Sequence, residues 1–128
     1  MDKTVLVEKN IDEGKRLIIG LDNTGFQVDA AMWFYLSDPA EWRLFLASPF
    51  VDKEGPKKAY SFIQSVLERL SPPSEISLKD ISVLSPSHHL IHLLRIAIRT
   101  GPGISGIRFT QNVINNTLIE DAYIYRIL

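Results

Sequence analysis

Between residues 4 and 22 the apolar positions keep helical spacing. Val7, Ile11, Gly14, Ile18 and Leu21 fall on one side, and Glu8, Lys9, Asp12, Glu13, Lys15 and Arg16 on the other. This pattern predicts an amphipathic helix over Thr4–Asp22. Gly14 sits on the apolar side, where it costs up to ~1 kcal/mol against Ala, so it either permits close packing or marks a bend. The run Asp22-Asn23-Thr24-Gly25 stops the helix, with Gly25 suited to a left-handed turn.

The period then switches to two. From Phe26 the even positions are Phe26, Val28, Ala30, Met32, Phe34 and Leu36, an unbroken apolar face. Past Ser37-Asp38-Pro39-Ala40, even positions again supply Trp42, Leu44, Leu46 and Phe50. Two alternating runs around a short Asp-Pro turn predict a β-hairpin. A three-residue loop sets Trp33 opposite Arg43 and Tyr35 opposite Glu41; a five-residue loop sets Trp33 opposite Phe45 and Tyr35 opposite Arg43. Both keep the even faces together, whereas a slip of one residue would mix them.

Helical spacing returns after Asp52-Lys-Glu-Gly-Pro56, with Ala59, Ile63, Val66, Leu67 and Leu70 as the buried stripe and Ser71-Pro-Pro-Ser74 as its stop. A third strand is expected within Ile76–Leu84, with a bulge at Lys79-Asp80. Ser85-Pro86 opens a third helix that runs to about Thr100, and Gly101-Pro102-Gly103 closes it. A second hairpin comes next, Ile107–Ile114 and Thr117–Leu128, around Asn115-Asn116, which tolerate the positive φ of a two-residue turn. In that register Arg108 lies opposite Tyr123 and Thr110 opposite Asp121. Ile107, Phe109 and Val113 share a face with Ile124, Ala122 and Leu118.

The order α-β-β-α-β-α-β-β reads as one α+β domain over residues 1–128, a mostly antiparallel sheet of about five strands with three helices. At 128 residues the chain can bury roughly two thirds of its unfolded surface. It has no cysteine, which removes disulfides, thiolate metal sites and cysteine nucleophiles. A net charge of −1 leaves no global drive toward nucleic acid or anionic membrane. The start of the chain lacks the basic-then-apolar pattern of a signal peptide, and LIHLLRIAI is too short and too charged to span a bilayer. The expectation is a soluble cytoplasmic protein.

Four patterns carry candidate chemistry. The odd positions of the first hairpin place Trp33, Tyr35, Arg43 and Phe45 together, either as core under a second helical layer or as an open aromatic surface for a partner. The final strand, with Tyr123, Tyr125 and Ile127 on one side and Ala122, Ile124 and Leu128 on the other, is a second partner-binding candidate if it ends at a sheet edge. His88, His92, Arg95 and Arg99 step by four, three and four, which on one helix makes a basic edge for a polyanion such as nucleic acid. The His88–His92 spacing also suits two metal ligands, but no third ligand is near, so no metal is assigned. Asp29, Glu41-Trp-Arg43 and Glu8 or Glu13 mimic the acids of metal-dependent nucleases, yet Asp29 and Glu41 belong at opposite ends of a hairpin. These readings favour a non-enzymatic module that binds a protein partner or itself as a homodimer. Nucleic-acid binding is the alternative, a nuclease or other hydrolase a more distant one, and no cofactor or membrane partner is assigned.

Overall fold

The structure is a computed structural model that describes residues 3–128. In chain order the described elements are α1 (Glu8–Asn23), β1 (Ala30–Ser37), β2 (Ala40–Ala47), α2 (Pro49–Glu54), α3 (Pro56–Arg69), a 3₁₀ turn (Leu78–Asp80), β3 (Ile81–Leu84), α4 (His89–Ala97), β4 (Ile107–Ile114) and β5 (Thr117–Ile127). The strands form one sheet in the order β3-β2-β1-β5-β4. Three pairings are antiparallel, but β2 and β3 run parallel. The sheet is therefore mixed, because α2 and α3 form a crossover that returns the chain to its starting direction. The α+β class stands as expected. The added helix is α2, capped by the Ser48 hydroxyl accepting from the Phe50 amide at 3.1 Å, which ends β2 three residues before Phe50.

The register of the first hairpin departs from the expected one and reshapes both faces. The turn holds only Asp38 and Pro39, so Trp33 pairs with Leu44 and Tyr35 with Trp42. Odd positions of β1 thus join even positions of β2, the arrangement the uniform even pattern argued against. It works because both faces are covered by helices, so neither run needs to be the only apolar one. Ala31, Trp33, Trp42, Leu44 and Leu46 pack with Leu17, Ile18 and Leu21 of α1 and Ile63, Val66 and Leu67 of α3. Met32 packs on the other side with Ile91 and Leu94 of α4, and Phe34 lies against that cluster.

β5 carries a bulge where it pairs with β1. Ala31 faces Arg126 while Met32 already faces Ile124, leaving Tyr125 as the extra residue. Tyr123, Tyr125 and Arg126 consequently all lie on the α1 side, and Ile127 joins Ile124 on the α4 side instead of Tyr125. Arg126 forms a bidentate pair with Asp22 at the end of α1 (2.8 and 3.0 Å), and also donates to the carbonyls of Val28 and Gly103.

Gly14 is where α1 meets the sheet. The Tyr125 hydroxyl donates to the Ile11 carbonyl at 2.6 Å and accepts from Trp33 Nε1 at 3.0 Å. A Cβ on Gly14 would lie 2.3 Å from that hydroxyl oxygen. The expected close packing is therefore real. Burial pushes the Tyr125 hydroxyl far above its ordinary pKa, so it stays a neutral donor.

α1 begins at Glu8 rather than Thr4, since Val7 is extended and its amide donates to Asn10 Oδ1 at 3.1 Å. α4 likewise stops at Ala97. Past it, the Thr100 amide donates to the Ile127 carbonyl at 2.7 Å and the Ser105 amide to the Tyr125 carbonyl at 2.7 Å. Pairing with the end of β5 takes the residues that another helical turn would have used. Among the described residues, no buried side-chain polar atom lacks a partner, and no helix is long and apolar enough to cross a membrane.

These contacts set two expectations for stability. Gly14→Ala gains helix propensity of up to ~1 kcal/mol, yet it should lower stability by about 1–3 kcal/mol through overpacking, read as a drop in the urea midpoint. The second concerns Glu13, which accepts from Arg16 at 2.8 and 3.1 Å and from the Glu75 amide at 2.9 Å. Burial works to raise its pKa, but the Arg16 and Glu75 hydrogen bonds and the Arg16 charge outweigh that and hold it below the usual carboxylate range. Its stabilisation is present above the ordinary glutamate pKa and is lost as pH falls through the depressed folded value. Between about pH 5 and pH 3, around the ordinary glutamate value, Glu13→Gln should therefore lose less stability than the unmodified protein.

Candidate interaction surface

Each residue group singled out in the sequence has a definite place, and the structure divides most of them. Trp33 is 4% exposed under α1. Tyr35 is half-buried on the same face, its ring 5.5 Å from Trp42 in edge contact. Arg43 and Phe45 are on the opposite face. Phe45 stacks on Phe34 at 5.4 Å, and Arg43 donates to Ser82 Oγ at 2.9 Å and the Ile81 carbonyl at 3.1 Å. The expected Trp33–Tyr35–Arg43–Phe45 face does not exist as one surface, because the two-residue turn puts β1 odd positions with β2 even ones. The cation over a hairpin aromatic is instead Arg108, 5.4 Å from the Trp42 ring centre.

The final strand is not an edge. β5 lies between β1 and β4, with Tyr125 fully buried and Tyr123 half-buried beside it at 5.3 Å. The expectation of strand addition through Tyr123 and Tyr125 is corrected accordingly: both sides of β5 are paired, and the free edges belong to β3 and β4.

The basic edge is also divided. His88 caps α4, its Nδ1 accepting from the Leu90 amide at 3.0 Å, and His92 is exposed one turn on. Arg95 turns inward, donating to the carbonyls of Leu128 at 2.8 Å and Pro86 at 3.3 Å. Arg99 lies beyond the helix, after the extended residue Ile98, and is exposed. The four residues therefore share no helical stripe. For the nuclease arrangement, Asp29 precedes β1 while Glu41 adjoins the turn, at opposite ends of the hairpin. Glu13 is held by Arg16. Among the described residues no three His, Asp or Glu side chains gather as metal ligands.

The fold leaves open the part of the α1-side face carried by β4 and by β5 around Asp121. Arg108 and Asp121 form a bidentate pair there, both bonds 2.7 Å, and Thr110 donates to Asp121 at 3.2 Å. The Arg108 side chain is nevertheless 50% exposed. Thr110 and Asp121, together with Tyr35, Trp42 and Gln111, border a shallow cleft of about 220 Å³. The Arg108 bonds raise its pKa and the same pair lowers that of Asp121, so both stay charged through the neutral range.

Further along the hairpin, Gln111 adopts φ +51° and the alternation breaks. Beyond it Ile114 and Ile119, not Val113 and Leu118, reach the α4-side core. Val113 and Leu118, a directly facing pair, are left 66% and 51% exposed. The register of this hairpin is the one its sequence predicts, including Thr110 opposite Asp121. The Arg108–Asp121 diagonal was therefore legible, but the face reversal at Gln111 was not, since glutamine gives no local sign of a left-handed conformation.

Comparison with protein-family models, curated proteins and solved structures finds no match for the chain.

The placement of Arg95 and Arg99 makes a direct test of their roles. Hydrogen bonds from a charged group are worth about 1.5–3 kcal/mol, so Arg95→Ala should lower stability by roughly that amount. Arg99→Ala should stay within about 0.5 kcal/mol, as surface changes do. Chemical denaturation of both variants checks the difference.

Proposed function

We propose that the chain is a non-enzymatic module that associates with a second copy of itself through the β4–β5 hairpin. The observation that carries this reading is the exposed Val113–Leu118 pair at the hairpin tip. Two large aliphatic side chains set side by side are a modest apolar patch, and burying the exposed part of each brings a share of the about 1.5–3 kcal/mol that full burial of such a side chain is worth. A two-fold axis at such a patch brings it against itself, the commonest way soluble chains pair. The Arg108–Asp121 pair beside the cleft then supplies a polar rim.

The free edge of β4 supports association by faces more than by strand addition. Gln111 interrupts its regular backbone and Arg108 places a charge along it, both features that discourage indiscriminate edge pairing.

Light scattering and sedimentation at micromolar concentration should give a dimer mass. The double variant Val113→Asp/Leu118→Asp should weaken that dimer by more than tenfold, a loss above about 1.4 kcal/mol, with an unchanged unfolding midpoint. A strictly monomeric unmodified protein at those concentrations would refute self-association through this hairpin.

A further inference from the structure

Of the three histidines, His88 is committed to the cap of α4, its Nδ1 accepting from the Leu90 amide at 3.0 Å. His89 and His92 form no part of that cap. They stand three residues apart on α4, a spacing that makes their side chains neighbours on one side of the helix. Both are exposed, and both border one cleft of about 230 Å³ together with Leu93, Ile96, Asn115 and Thr117. One wall of the cleft is therefore α4 and the other is the turn of the β4–β5 hairpin.

Apolar packing holds that turn against the helix. Past Gln111 the hairpin sends Ile114 and Ile119 into the core that Ile91, Leu93 and Leu94 of α4 share, leaving them 5% and 1% exposed. Asn115 follows directly, with the positive φ of +47° that a two-residue turn demands. Two imidazoles on a helix and an amide on a turn thus meet over a packed base. No lysine or arginine borders the cleft, so no fixed positive charge stands among these groups.

That set of donors selects its ligand. Imidazole suits zinc, nickel and copper ions, whereas magnesium and calcium take oxygen ligands. Two imidazoles leave such an ion short of donors, and three protein donors with a water match the count of an open zinc site. We propose that His89, His92 and Asn115 form a site for a divalent transition-metal ion of the zinc class, which ties the tip of the β4–β5 hairpin to α4. The spacing of four between His88 and His92 favours a different pair, but the cap occupies His88 and the fold brings up Asn115 in its place. The site lies on the α4 side of the hairpin and Val113 and Leu118 face the other way, so it stands or falls independently of self-association.

Zinc titration of the full chain by equilibrium dialysis tests this, with magnesium as the control ion. Zinc should bind as a single ion per chain, and magnesium should not bind. His89→Ala and His92→Ala should each weaken zinc binding by about tenfold or more, since even an outer-shell partner of a ligating histidine is worth that much. His88→Ala should leave it unchanged. Asn115→Gly keeps the positive φ but removes the oxygen, and should weaken binding several-fold; Asn115→Asp offers a charged oxygen and should tighten it. All four positions are exposed, so these variants should keep the fold. Hydrogen exchange of the unmodified protein adds a check free of substitutions: zinc should slow the amides of residues 115–117 and leave those of β1 as they were. Absence of zinc binding, equal binding of magnesium, affinity that either His89→Ala or His92→Ala retains, or an equal loss in His88→Ala overturns the proposal. So does unchanged affinity in both Asn115 variants or unchanged exchange in the turn, either of which would mean adventitious chelation by the helix pair alone.

Discussion

The contact between α1 and β5 at Gly14 is the constraint on which the rest of the architecture depends. A tyrosine hydroxyl inside a core must find partners, because an unpaired one costs about 1–3 kcal/mol. Tyr125 finds the Ile11 carbonyl and the Trp33 indole. Both bonds require the helix backbone to approach the sheet to within the thickness of a glycine. They also require Tyr125 to sit on the α1 side directly beside Arg126, which regular alternation forbids and the bulge in β5 provides. Helix position, sheet register and bulge are thus one mutually dependent arrangement. Arg126 reinforces it at the far end of α1 through Asp22.

Arginines elsewhere serve the fold in the same way. Arg95 closes the end of β5 onto α4, Arg43 joins β2 to β3, and Arg16 ties α1 to the Pro72–Glu75 loop through Pro72, Glu13 and Glu75. A guanidinium offers five donors in a fixed fork, so one residue can collect several loop carbonyls that no strand or helix satisfies. In the basic run of the sequence Arg95 is used in this way, while Arg99 lies exposed beyond the early end of α4, so the run forms no helical stripe.

Function has to be sought where this internal bonding ends. Helices cover the sheet over β1, β2 and the Tyr125 end of β5, but the α1-side layer does not extend across β4 and the Asp121 part of β5, and β3 does not extend along all of β2. One shortfall leaves the Asp121 cleft and the Val113–Leu118 pair open; the other is filled by the chain's own Lys3–Val7 segment.

The sequence by itself determined the order of every element except α2, the α+β class, the second hairpin's turn at Asn115-Asn116 and the special position of Gly14 on an apolar helix face. These are local matters: helical spacing, alternation, and residues that accept φ values of +47° and +64° at that turn. Tertiary structure decided which faces belong together. A strand pair with apolar residues on both sides satisfies burial in either register, so the pattern from Phe26 to Leu46 could not choose between them, and the two-residue turn did. Whether β5 was edge or centre was equally undetermined, since apolar residues on both sides show only that both sides are covered. The bulge at Tyr125 and the early end of α4 depend on hydrogen bonds between segments far apart in the chain, such as Thr100 with Ile127 and Tyr125 with Ile11. No local window of sequence contains both partners of such a bond, and for that reason the candidate surfaces became visible only once the chain was folded.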